Sequence, residues 1–476
     1  MTQQYRLMIP QAKPSNQFLD VLAPYDQSLI AQVEVADQAT IELALQQATD
    51  CFTDQSQWLA RHQRIAILER SIEIIKLQQA DLALASAREG GKPLVDSLVE
   101  IERAIDGLKN CIECIRSQHG SEIPMGITAV SDKHTAFTSL EPIGVVVALS
   151  AFNHPFNLIV HQAGPAIAAG CPVIIKPAQD TPIMCIKLVE IFYQAGLPRE
   201  WCQVVVSNDN QLAQTLATDS RVAFLSFIGS ANVGWMLRSK LAPGTRCALE
   251  HGGVAPVIVE ADADLDQALK LISKAGFYHA GQVCVSVQRI YCHESIAKDF
   301  AEKLASIAEK LVVGDPTQAT TEVGPLIRPR EVQRVDQWVS AAIAEGAQAL
   351  CGATAIGETG YAPTVLFEPS DQSQVSTQEI FAPVVCVYSY SNREDAIQRA
   401  NALPFAFQAA VFTKNINTML QCYRQLNASA VMVNTHTAFR VDWMPFAGLK
   451  QSGLGVGGIP HTYRDMQIEK MLLIHG

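Results

Sequence analysis

The chain has no excess of positive charge. Its 476 residues carry 36 Lys and Arg against 47 Asp and Glu, a net charge of −11, and the basic residues form no cluster. That balance argues against nucleic acid or an anionic membrane surface as a partner. No uninterrupted apolar run approaches the roughly 20 residues that a membrane-spanning helix needs. The opening Met-Thr-Gln-Gln-Tyr lacks the charged start and apolar core of a signal peptide. A cysteine framework is also missing: twelve cysteines, among them Cys51, Cys171, Cys202, Cys351 and Cys422, follow no regular spacing. In a chain this long, that pattern predicts reduced thiols in a cytoplasm. Cys111 and Cys114 form a Cys-x-x-Cys pair inside a long helical pattern with no second pair nearby, so they predict a helix and no metal site. There is no internal repeat and no low-complexity linker.

What is present is apolar content. Hydrophobic residues make up 48% of the chain and the mean hydropathy is +0.12, which suits a well-buried globular protein. Its length exceeds one ordinary core, so two or three closely packed lobes are expected. Residues 17–35 read as strands and turns, Asp37 to Asp50 as a helix, and 57–120 as long helices with turn signals at Gly90-Gly91 and Pro93. Gly120 to Glu141 reads as strand-like, through Ile127–Val130 and Thr135–Thr138. From Pro142, apolar runs at 143–148, 172–176, 202–206, 222–227 and 247–249 alternate with helical stretches at 157–169, 182–195, 212–217 and 231–241. Strands separated by such helices indicate a parallel sheet covered on both faces. The alternation resumes from Pro256–Val259 to Val431–Val433 and predicts a second α/β lobe.

Three stretches carry chemistry. In Phe277 to Arg289, an amphipathic run (Leu265 to Ala280) passes through Gly281-Gln282 into a β-branched one, and the junction places Cys284 where a thiol can reach a cleft. Free cysteines are usually core residues. A reactive one needs a partly exposed, electropositive setting. Cys247 to Gly253 puts Glu250 ahead of paired glycines, and Ser150 to Asn157 puts Asn153 just after an apolar run. Nucleophile, carboxylate base and side-chain amide are what thiol-based oxidation of an aldehyde requires. A glycine turn, Gly229-Ser230 to Gly234, follows the run 222–227 and opens a helix, a setting in which backbone N–H groups can face a pyrophosphate. The literal GxGxxG at Gly453 to Gly458 follows no strand and precedes Pro460, so it is rejected as the dinucleotide site.

With their surroundings and spacing, these stretches resemble the aldehyde dehydrogenase superfamily, over roughly Ala44 to Ile474. The resemblance implies an α/β fold with two Rossmann-like parallel-sheet lobes and a small bridging β-element. Residues 1–123 and 143–252 would bind the dinucleotide, 253–450 would form the catalytic lobe, and 124–142 with 463–476 would bridge subunits of a homodimer or homotetramer. It implies NAD or NADP as cofactor, held by Lys176 of Lys-Pro-Ala, by Gly229, Ser230 and Gly234, by Glu379 and Phe381 of Glu-Ile-Phe-Ala-Pro-Val, and by Phe152. Gln179 stands where NAD-preferring relatives usually carry glutamate, which removes a repulsion against a 2′-phosphate. Cys284 would be the nucleophile, Asn153 an oxyanion donor and Glu250 the base that hydrolyses the thioester.

Pro445 to Gly453 resembles the family's segment beside the substrate mouth, five residues after Arg440. His154, Asn157 and His161 occupy positions that are large and apolar in relatives acting on fatty or aromatic aldehydes. The substrate expected is therefore a small polar or anionic aldehyde, lactaldehyde- or semialdehyde-like, bound by Arg440, His154, Asn157 and His161. Pairing of Arg440 with Asp442 is the competing reading for that arginine. For the whole chain, the alternatives are a CoA-acylating semialdehyde dehydrogenase and a non-catalytic binding protein on the same fold. Retention of Glu250 favours hydrolysis over the first, and retention of Cys284, Glu250 and Asn153 together speaks against the second.

Overall fold

The structure is a computed structural model that describes residues 3–476. Its first lobe is built on the run Val145–Leu149, whose five residues are all buried. Successive strand side chains point to opposite faces. Val146 and Ala148 accordingly join one apolar core while Val145, Val147 and Leu149 join another. Helices Arg61–Leu77, Leu94–Ser117, Asn157–Ala169 and Pro182–Gln194 cover the first face. Helices Gln38–Thr53, Asn210–Thr218 and Ala231–Arg238 cover the second. Two-sided cover is why these strands read as unbroken apolar runs. Full burial of each such Val or Ile is worth roughly 1.5–3 kcal/mol. The sheet has six strands in the order 453–454, 246–250, 222–228, 145–149, 173–176, 202–204, all parallel except the first.

The second lobe centres on Val287–His293 and Ala255–Val259 in a seven-stranded sheet, ordered 348–351, 364–367, 384–390, 287–293, 255–259, 408–412, 430–433. Only its outermost pair, 348–351 with 364–367, is antiparallel. Both lobes therefore have the α/β form expected, and among the described residues no helix is long and apolar enough to cross a membrane.

A third element is a three-stranded antiparallel sheet of Gln467–His475, His134–Pro142 and Glu122–Ile123. Its middle strand begins only at His134, so the expectation of strand at Ile127–Val130 is corrected to a turn. Ser131 explains the change: its hydroxyl lies within hydrogen-bonding range of Gly126 N, Thr128 N and Thr128 O, which closes the chain on itself. Residues 463–465, grouped with the bridging tail, lie at the end of helix Ile459–Asp465.

Candidate active site

Cys284 reaches its position through a change of backbone direction. Helix Leu265–Phe277, capped by Asp264, stops three residues before the expected end. His279 and Ala280 then take left-handed backbone angles, φ 48 and 52. Gly281 follows at φ +70, and a β-carbon there would collide with the Ala382 carbonyl, so the turn requires glycine. Val283, Val285, Phe407 and Phe446 form a small apolar cluster around the half-buried Cys284. Burial pushes its thiol up to about 12, Arg440 opposes that rise, and Glu250 and Glu379 add to it. Arg440 is thus the one cation acting on a thiol that burial and two carboxylates push toward its protonated form. Asn153 is buried and donates to the Gln282 carbonyl at 2.9 Å. That bond ties it to the loop carrying Cys284 and leaves its second amide hydrogen unused.

Glu250 ends strand Arg246–Glu250, in register with Gly453 of the returning strand. Its carboxylate rests against Gly457, where a β-carbon would overlap Oε1. The glycines of the literal GxGxxG therefore make a sheet edge and a floor beneath a carboxylate. Burial raises the Glu250 pKa and Arg440 pulls it back.

Arg440 lies with its guanidinium 3.6 Å from the Phe446 ring centroid and its Nη2 3.3 Å from His161 Nδ1. Pairing with Asp442 does not occur. Asp442 instead accepts from Arg103 Nη2 at 2.6 Å and His161 Nε2 at 2.7 Å, with Asn157 Nδ2 at 3.5 Å. Burial works against its ionisation, but the His161 and Arg103 bonds hold its carboxyl well below the usual range. Arg440 has only donors, so His161 Nδ1 must accept and His161 is neutral. Burial, with Arg440 beside it, brings the imidazole down to about 4. Arg440 Nε is buried with no partner among the described residues. The cation that acts on Cys284 and Glu250 therefore has no ion-pair partner of its own. Asn157 and His161 are turned to Asp442, so they reach the pocket as supports of Arg440. His154 is half-buried beside Tyr278.

Lys92, Glu100 and Arg103 were not singled out by sequence. The one available signal was Gly90-Gly91-Lys92-Pro93, which reads as an exposed turn, yet Lys92 is completely buried against Glu100.

On the other side of Cys284, Gly229 and Ser230 lie between strand Val222–Ile228 and helix Ala231–Arg238. Gly234 is buried within that helix, and a β-carbon there would overlap the His251 ring. It thus serves helix packing, while His251 Nδ1 holds the Gly229 carbonyl at 2.9 Å. Lys176 ends its strand with a single long bond, 3.4 Å to the Pro177 carbonyl. Gln179 is exposed, and neighbouring Asp180 is taken by Arg328. Phe152 and Phe381 meet edge to face at 5.9 Å. Glu379 lies over Gly252, not in solvent as a lone carboxylate would. Its Oε1 is buried without a donor, and burial pushes the carboxyl up to about 8. An orphaned buried acceptor, a weakly held lysine and a strand-to-helix glycine turn fit the hydroxyls and phosphates of a dinucleotide.

Residues 11–472 match the family model described as the aldehyde dehydrogenase family. The chain is 36% identical over 457 residues to a 3-sulfolactaldehyde dehydrogenase of Priestia megaterium, covering 96% of this chain and 95% of that protein. The crystal structure of aldehyde dehydrogenase 21 from Physcomitrella patens, in complex with the reaction product succinate, superposes with a TM-score of 0.95 at 30% identity, covering 100% and 99% of the two chains. A glyceraldehyde-3-phosphate dehydrogenase of Methanocaldococcus jannaschii, complexed with NADP, superposes with a TM-score of 0.92 at 33% identity, covering 97% and 100%.

Proposed function

This chain belongs to the aldehyde dehydrogenase family, and from that premise we propose that it oxidises a small anionic or hydroxylated aldehyde to its acid through a thioester on Cys284. Cys284 Sγ gives its proton to solvent water, which reaches the half-buried thiol, and adds as the thiolate to the aldehyde carbon. The second hydrogen of the Asn153 amide and the Cys284 backbone N–H hold the oxyanion, the preorganised stabilisation on which acyl chemistry depends. NAD or NADP, when bound, supplies the hydride acceptor that converts the adduct to the thioester. Lys176, Gly229, Ser230 and Glu379 would hold it, with Phe152 and Phe381 alongside. Gln179 leaves either dinucleotide acceptable. Glu250 then takes a proton from water, the water attacks the thioester, and Cys284 is released as a thiol with the acid.

One observation carries the substrate reading: Arg440, half-buried beside Cys284 and Glu250, forms no ion pair with a carboxylate among the described residues. A guanidinium in that state suits an anionic or oxygen-rich group on the substrate. The Priestia relative is named for 3-sulfolactaldehyde and the Physcomitrella structure holds succinate, and both compounds are small and anionic. Arg440→Leu should raise KM for succinic semialdehyde about tenfold or more relative to its effect on butanal, which has the same chain length. Loss of the cation should also raise the pKa of Glu250 and Cys284 and move the rate profile to higher pH for both substrates. Equal KM losses on both, or a wild-type preference for octanal, would remove the anionic reading.

Assembly belongs to the same proposal. Strand Gln467–His475 pairs along one side only, and it carries Met471, Leu472, Leu473 and Ile474 about half exposed. An unpaired apolar edge invites another chain. A homodimer or homotetramer working in a cytoplasm, where the twelve free thiols are stable, is the expected form. Sedimentation at micromolar concentration should show no monomer boundary, and a clean monomer counts against it. Residues 1–123 and 143–252 would then serve the dinucleotide, and 253–450 the chemistry.

A further inference from the structure

Helix Leu94–Ser117 carries Asp96, Glu100 and Arg103 on one face, at positions i, i+4 and i+7, where they meet Lys274, the Phe156 and Asn157 backbone, and Asp442 in turn. A buried polar stripe of this kind is costly unless each member is satisfied. Glu100 is fully engaged. Its Oε1 accepts from the backbone N–H groups of Phe156 at 2.9 Å and Asn157 at 3.0 Å. It thereby caps helix Asn157–Ala169, which has no capping side chain of its own. Its Oε2 accepts from Ser86 and from Lys92. Lys92, with no exposed surface, makes a second bond to His154 Nδ1 at 2.7 Å. His154 directly follows Asn153, the proposed oxyanion donor.

An ammonium group has hydrogens to give and no lone pair to receive one. Paired with Glu100, Lys92 therefore makes His154 Nδ1 an acceptor and leaves the imidazole proton on Nε2, which has no hydrogen-bond partner among the described residues. From this geometry we propose that Lys92 and Glu100 are positioning residues that fix His154 as a donor, and that its Nε2–H recognises an oxygen substituent next to the aldehyde carbon, a 2-hydroxyl above all. The proposal rests on the reading of the site as an aldehyde pocket and deepens it. Arg440 would hold a distal anion, and His154 would read the hydroxyl. The charged and titratable groups facing the ring are Lys92, His279, Arg103 and Arg440, with Tyr278 stacked at 6.1 Å. Burial and these cations keep the imidazole neutral. The donor is thus present across the ordinary pH range.

Lactaldehyde and propanal differ only by the hydroxyl, so their kcat/KM ratio reads this contact. Removing Lys92 alone would strand a buried carboxylate. The variant to measure is therefore Lys92→Met/Glu100→Gln, in which the glutamine oxygen can still cap the helix, with His154→Phe as a second. The wild type should prefer lactaldehyde, and both variants should lower the ratio by about tenfold. In the double variant the imidazole has lost its neighbouring cation. With Nδ1 no longer held as an acceptor, the ring proton can move there. Protonation at low pH restores the Nε2 donor, so the lactaldehyde preference should recover as pH falls, which a merely structural loss would not produce. Parallel losses on both substrates with the ratio intact would overturn the proposal. A wild type indifferent to the hydroxyl would also overturn it, while leaving the anionic reading to the succinic semialdehyde and butanal comparison.

Discussion

Cys284→Ala protein is expected to lose aldehyde oxidation by several orders of magnitude, on the order of 10⁴-fold or more, while still binding NAD or NADP. The two halves of that result have separate physical origins. The thiol would be covalent in every turnover, and no other cysteine lies among the groups that surround it. The residues assigned to the dinucleotide make their contacts elsewhere: Lys176 with Pro177, Gly229 with His251, and Glu379 across Gly252. The methyl of alanine also fits the apolar cluster of Val283, Val285, Phe407 and Phe446, so the fold should survive. Cofactor binding by fluorescence or calorimetry and turnover by absorbance of the reduced cofactor test the two halves independently. Near-normal turnover would refute a covalent role for Cys284.

Glu250→Gln should behave differently, giving one fast burst of reduced cofactor per active site followed by a rate lower by about 10²–10⁴-fold. The amide can rest on Gly457 as the carboxylate does but cannot take a proton from water. The wild-type pH profile should show the same division. Burial raises the Glu250 pKa, so as pH falls through that raised value the base becomes protonated and steady-state turnover declines. The burst does not need this base and should persist to lower pH. Absence of a burst in Glu250→Gln would place Glu250 before hydride transfer or make its role structural.

Local and global signals were not equally legible in the sequence. The run at 143–148 and the helix at 157–169 could be read because apolar content on both faces of a parallel sheet leaves an unmistakable pattern. Ile127–Val130 misled because a β-branched stretch was outweighed by one hydroxyl, that of Ser131, closing a turn. Asp442 sits two residues from Arg440, and proximity in sequence suggested a pair. Arg103, 339 residues away, holds Asp442 instead. No periodicity encodes a partner at that distance. Lys92 was illegible for another reason: between glycines and a proline it looks solvated, and only the fold brings Glu100 and His154 to bury it. Glu379 taken alone reads as a solvated carboxylate, and only its motif pointed inward, where Gly252 leaves room for it.

The rise that burial imposes on the Cys284 thiol also bears on how this protein should be labelled. Of twelve cysteines, only Cys247 and Cys284 are partly exposed. Alkylating reagents attack the thiolate, so accessibility alone does not set their order of reaction. Cys247 has Arg238 beside it to restrain the rise that burial causes, whereas Cys284 has two carboxylates that reinforce it. Thiol titration and loss of activity are therefore separate measurements in the resting protein. An electrophile can consume a cysteine without touching the nucleophile, and an inhibitor aimed at Cys284 gains selectivity by first occupying the site around Arg440.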